Sequence, residues 1–418
     1  MSRICTAFVL SLLATAAIVA CADSNDAPAV PPVDDAGTTP LPEAGDERPA
    51  DAGADAGPDA KPAPDTCTAD GWCLIPLPDA RPIGVQSFRI VSLVADAPGS
   101  AWALTSSYIH GTGESTSHLL RYEQGAWATK FGIGPLQSEP FPYTLTALAG
   151  NGAGAFVAVG GKPFAFPPEP VLLRFENGTA TVEHPEDLRS FVSIVFTSSA
   201  DVWALDDSGR LYRSELAGAA PLAWTREPIP HDHDPSSFQA SATTLFRSSD
   251  GALFVGGRIP GRWGEDGFVP GQVYVDRRVE DAEGAVTWTS SVAFDQEKPV
   301  AAGVVLGPSA MWLAADDLLL GSGPDGDAGN GGLAWSPPSR VPLYLQDIWG
   351  RAPNDVWAVA AVGRIYHYDG FKWADSAAAL NGVPLSVDAL YAIDGLPSGE
   401  LWIGGEGVAI HRAPKVNP

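Results

Sequence analysis

Positive charge is scarce in this chain: 25 Lys and Arg stand against 50 Asp and Glu in 418 residues, a formal net charge of −25. Phosphate binding relies on clustered Lys and Arg, so this balance points away from nucleic acid as a partner and toward a protein kept soluble by self-repulsion. Cysteine is rare, with four in the whole chain. No sustained period of 3.6 residues runs through the apolar positions, which argues against a helical fold. Beyond residue 20 no apolar run is long enough to span a bilayer. The usual signatures of catalysis are missing as well: there is no Gly-x-Ser-x-Gly elbow, no His-Glu-x-x-His and no glycine-rich phosphate loop with a lysine.

What is present begins at the amino terminus. One positive charge, Arg3, precedes an apolar stretch from Ile4 to Ala20, the pattern of a secretory signal sequence over residues 1–20. The stretch ends Ile18-Val19-Ala20-Cys21, which resembles the bacterial lipobox. Membership of that lipoprotein family implies that the Cys21 thiol takes a diacylglyceryl group, that a peptidase cuts just before it, and that the new amino terminus is acylated, with palmitate among the chains expected. Each buried methylene contributes about 0.8 kcal/mol, so several chains together make the attachment effectively permanent. The localisation this implies is an exported protein, lipid-anchored to the cell envelope at the outer membrane or cell surface.

Residues 21–66 follow as a linker. From Ala22 to Thr66 there is no aromatic residue, and Ala, Asp, Pro and Gly dominate, as in "DAGADAGPDAKPAPD". Such a composition cannot bury enough apolar surface to offset its ordering entropy, so the expectation is an extended, acidic spacer. Cys67 and Cys73 remain as a pair in an oxidising setting and are expected to close the "CTADGWC" ring as a disulfide. Two free thiols are the alternative.

Residues 67–418 carry short apolar runs rich in Val, Leu, Trp and Gly, broken by turn residues, which is an all-β pattern. The chain also repeats. A small-residue turn, an acidic or small residue, an aliphatic and then an aromatic residue recur around Trp102, Phe156, Trp203, Phe254, Trp312, Trp357 and Trp402. These anchors stand about 45 to 58 residues apart, the size of a four-stranded propeller blade. The clearest copy is "APNDVWAVAAVGRIYHYDGFKW"; "LLRYEQGAW" and "LLRFENGTA" align with its second half. Asn177-Gly178 and Asp369-Gly370 suit two-residue hairpins. The repeat resembles the aromatic-anchored propeller units of secreted bacterial proteins. It implies a single β-propeller of seven four-stranded blades, with "CLIPLP" at 73–78 supplying the last strand of the final blade and closing the ring.

Candidate chemistry was sought within this frame. "HDHD" at 231–234 could offer His231 and His233 to a metal, but two ligands do not make a site. "PDGDAGN" at 324–330 departs from a calcium loop at Gly329. "SSDGALF" at 248–254 only approximates a sialidase-type box, and Asp206-Asp207 and Asp316-Asp317 are expected in hairpin turns. No catalytic residue, metal or cofactor is assigned, and the anchors are expected to be structural. Three functional classes stay open: a displayed module binding an envelope protein or glycan, an envelope assembly or scaffold factor, and a glycan-acting or metal-dependent enzyme.

Overall fold

The computed structural model describes residues 67–414, apart from 69, 82–83, 110–113, 133–141, 163–168, 217, 219, 232–240, 265–266, 308–309, 325–332, 377–378, 381–382 and 385–387. Cys21, the signal and linker segments, His233 and most of 324–330 lie outside the described residues.

Seven antiparallel sheets of at least four strands account for the wheel, and no α-helix occurs among the described residues. Six blades are continuous in sequence, over 90–131, 144–183, 191–227, 241–294, 300–340 and 345–375. The seventh takes Leu390–Gly395, Leu401–Gly405 and Ala409–Arg412 from the end of the chain and completes itself with Trp72–Ile75. The closing register pairs Trp72 with Arg412 and Ile75 with Ala409, so the apolar run read as a clasp serves as one. The first strands of successive blades pack against one another round the centre, and that of blade 7 packs against Ile90–Ala97 of blade 1.

Each first strand carries a register shift at the same place: between Ile90 and Ser92, Leu145 and Ala147, Phe191 and Ser193, Ala242 and Thr244, Val300 and Ala302, Leu345 and Asp347, and Leu390 and Ala392. An extra residue there sharpens the twist, which a radial blade requires. The buried core is correspondingly divided. Its seven clusters each join two neighbouring blades, from the pairing of blades 1 and 2 round to that of blades 7 and 1. Alternate side chains of every strand therefore feed two different seams. Small residues after the anchors permit the approach: a Cβ on Gly404 in blade 7 would lie 2.3 Å from the Ile90 side chain of blade 1.

The outer hairpins follow their turn residues with one exception. Asn177 and Gly178 both have positive φ, and Glu176 pairs directly with Thr179, the two-residue hairpin expected. At Asp369-Gly370 only Gly370 has positive φ, and Tyr368 pairs with Trp373, so four residues form the loop. The Asp369 carboxylate accepts hydrogen bonds from the Phe371 and Lys372 amides at 2.9 and 3.0 Å and so supports the wider turn.

Candidate functional site

Six of the seven aromatic anchors share one position. Trp102, Trp203, Phe254, Trp312, Trp357 and Trp402 lie opposite Val94, Val195, Phe246, Val304, Trp349 and Asp394 in their first strands, and their rings face the following blade. Phe156 does not belong to this set. Ala149 pairs with Val157, so Val157 holds the equivalent place and joins the seam to blade 3, while Phe156 turns back onto Trp102 with ring centroids 4.8 Å apart. A shift of one residue in a strand reverses the face.

Opposite the anchor position, the third strand carries a basic residue in six blades: Arg121, Arg174, Arg213, Arg277, His367 and His411. Blade 5 has Gly321 there, because the Trp312 ring fills the space that a Cβ would need. These side chains cover the aromatic anchors. Arg121 lies 5.0 Å from the Trp102 centroid, and His367 and His411 stack on Trp357 and Trp402 at 3.9 and 4.0 Å. Three of them, Arg121, Arg174 and His367, lie in the aligned segments "LLRYE", "LLRFE" and "IYHYD", where only the register links them to the anchor position.

An acid completes several of these sets. Asp355 accepts hydrogen bonds from Trp357 Nε1 and His367 Nε2, both at 2.8 Å, and pairs with Arg351. Burial works against its charge, but the His367 and Trp357 hydrogen bonds and the Arg351 charge outweigh it and hold the carboxyl down at about 2. In blade 7 the buried Glu400 receives Trp402 Nε1, His411 Nε2 and the Gly99 amide of blade 1 at 3.2, 3.0 and 2.9 Å.

Five of the six anchor rings also meet the third strand of the next blade. Phe175 packs on Trp102, Tyr368 on Trp312 and Tyr122 on Trp402. Arg278 takes that place on Trp203, where Glu227 and Glu280 neutralise it. Arg412 takes it on Trp357, 4.8 Å from the ring centroid and 5.2 Å from that of Trp72. Two grooves open above such seams, on the face bearing the turns between first and second and between third and fourth strands. One, of ≈ 340 Å³, lies between blades 1 and 2 beside Trp102, Arg121 and Phe175. The other, of ≈ 580 Å³, lies between blades 6 and 7 beside Trp349, Arg351, Asp355, His367, Gly399 and Arg412. It is the larger and more polar of the two.

Other sequence candidates are accounted for structurally. Cys67 and Cys73 face each other across a bridge and are joined as a disulfide at the start of the closing strand. His231 gives Nδ1 to the fully buried Asp276 at 2.9 Å and stacks on Tyr274, while Ser290 donates to the same carboxylate. Asp206 organises its turn by accepting from Ser208, Arg210 and Tyr212. Asp207 pairs with Arg189, and Asp316 and Asp317 share Lys298. The Ser248-to-Ala252 turn is closed by the Ser248 hydroxyl. Among the described residues no group of three His, Cys, Asp or Glu is placed to hold a metal.

No protein-family model matches the chain, and no curated protein matches it in sequence. Solved structures do share its fold. YCF48 from Cyanidioschyzon merolae superposes with a TM-score of 0.54 at 16% identity, covering 82% of this chain and 99% of that one. YCF48 bound to D1 peptide gives 0.54 at 14%, covering 84% and 99%. U3-55K gives 0.50 at 11%, covering 83% and 99%. At these identities the likeness is one of architecture, and this chain is a seven-bladed β-propeller.

Proposed function

We propose that the protein is a lipoprotein of the cell envelope, exported, anchored through acylated Cys21, and displaying its propeller on the acidic linker as a binding surface. The observation carrying this reading is where the chain enters the wheel. Trp72–Ile75 is the outermost strand of its blade, so the described residues join the wheel at its rim and not at the inter-blade grooves. The ligand-holding geometry lies in the inter-blade grooves, and the ionisable groups beside them serve as turn supports and ion pairs, which favours binding over catalysis.

Fractionation tests the anchor. Cys21→Ser should shift the chain from the membrane pellet to the soluble fraction. Retention of that variant after a salt wash would instead indicate an uncleaved apolar helix. Cross-linking of the intact protein in cells tests the second half: a binding module gives discrete adducts, and a chain that cross-links only to itself contradicts the reading.

A further inference from the structure

One residue sets the groove between blades 6 and 7 apart from the seams that carry a ring at this place. Where Tyr122, Phe175 and Tyr368 seal their anchors with a ring, Arg412 covers Trp357 with a guanidinium. Among the described residues that guanidinium has no ion-pair or hydrogen-bond partner, and its Nε is buried without one. Arg278, the other arginine in this role, pairs with Glu227 and Glu280. Asp355 and Asp70 reach it only through their charge, without an ion pair, and a cation left without one is conspicuous in a chain with twice as many acids as bases. Trp72 and Trp357 hold it by their ring faces, which fixes the fork while leaving its N–H groups to an acceptor.

We propose that this groove binds a polypeptide carboxylate, with Arg412 as its counter-charge. This rests on reading the propeller as a binding module and names the ligand chemistry of one groove. A single guanidinium without a partner matches a monovalent anion, and the neighbouring Asp355 and Asp369 would repel a doubly charged phosphate. A sugar would need an open aromatic face. His367 covers one face of Trp357 and Arg412 lies over the ring as well, so Trp357 gives a stacked glycan no platform. A peptide needs only the fork and the polar rim formed by Asn354, Ser398 and Gly399. The Gly399 turn, at φ 89°, keeps that rim low beside Arg351.

Calorimetric titration of the full mature chain tests this, using a short neutral peptide with a free terminal carboxylate, the same peptide amidated, an amidated version with one internal Asp, galacturonate and inorganic phosphate. Binding of either carboxylate peptide, with the amide silent, supports the proposal; the two active forms distinguish a chain terminus from an acidic side chain. Arg412→Gln should weaken that binding at least about tenfold, a loss of about 1.4 kcal/mol. Asp70→Asn removes an acid whose charge reaches Arg412 and lies outside the groove lining, so it should tighten binding and confirms the site even if Arg412→Gln folds poorly. Equal binding of acid and amide, preference for phosphate or galacturonate, or unchanged affinity in both variants would overturn it. A chain that cross-links to partners in cells yet ignores every peptide also overturns the groove assignment, while leaving the binding-module reading standing.

Discussion

Asp394 of the last blade accepts a hydrogen bond from the Ala95 amide of the first at 2.8 Å, across 299 residues of sequence. On its other flank the same blade is held by Asp347, which accepts the Ile393 amide at 2.9 Å. Elsewhere hydroxyls do this work: Ser92 receives Leu148, Ser193 receives Leu245, and Thr146 and Thr243 donate to carbonyls of the next blade. These side chains satisfy backbone groups on inner strand edges that would otherwise lie unpaired. Among the described residues, only the blade completed by Trp72–Ile75 is stitched on both flanks by carboxylates.

A pH signature follows. Burial raises the Asp347 carboxyl to about 7 and that of Asp394 to about 6, against an ordinary 3.8. The folded state then holds protons that the unfolded chain has released, so these groups favour folding at low pH and lose that contribution as pH rises through 6 and 7. His118 acts in the opposite sense below 6.5, since burial lowers it to about 4. Burial lowers His411 as well, so the signature is read as a difference: between pH 5 and 8 the melting temperature of Asp347→Ala should rise relative to that of the unaltered protein as pH increases. Calorimetry showing the same slope in that variant would contradict the assignment.

Glu400→Ala removes one acceptor from three donors at the seam of blades 7 and 1. Each stranded buried donor costs about 1–3 kcal/mol, so the variant should lose about 3 kcal/mol or more in chemical denaturation, and Glu400→Gln less. A cost below about 1 kcal/mol for Ala would mean that the three contacts are not formed together.

The closing strand can be tested by truncation. A chain starting at Cys67 should melt with one starting at Ala22, because the composition of residues 22–66 offers little apolar surface to bury. One starting at Ala80 loses the ladder from Trp72 to Ile75 and the Trp72 indole, which is 3% exposed against Trp357. Losing that side chain alone costs about 3–5 kcal/mol, so the shorter chain should melt far lower or aggregate. Reduction of Cys67–Cys73 is a milder form of the same change, worth about 2 kcal/mol by loop entropy. Equal melting of the two truncated chains would place the clasp elsewhere.

Phe156 provides a check on register. A double-mutant cycle between Phe156→Ala and Trp102→Ala should show coupling of about 0.5–1.5 kcal/mol, while Phe156 with Phe191 of the other seam should show none. Coupling in the reverse pattern would restore Phe156 to the anchor position.

These tests also mark how far sequence alone reaches. The blade number, the anchors and the clasp were legible because the repeat pins them to aromatic residues and turns at fixed spacing. Phe156 was misplaced because Val157, an aliphatic residue in the anchor position, leaves the neighbouring ring as the stronger signal. Asp369-Gly370 looked like a tight hairpin, but its type depends on how Tyr368 pairs with Trp373. The carboxylate stitches and the Arg412 groove were invisible for a different reason: they join residues of separate blades, and no local pattern records which side chain lacks a partner.

The proposed function stands most directly on the amino terminus of the protein isolated from its host. Mass spectrometry of the detergent-extracted protein measures it in one step. The account predicts an amino-terminal peptide beginning at Cys21, heavier than its sequence by a diacylglyceryl group and a further acyl chain. A peptide beginning at Met1 or Ser2, or an unmodified one beginning elsewhere, would contradict lipid anchoring at Cys21.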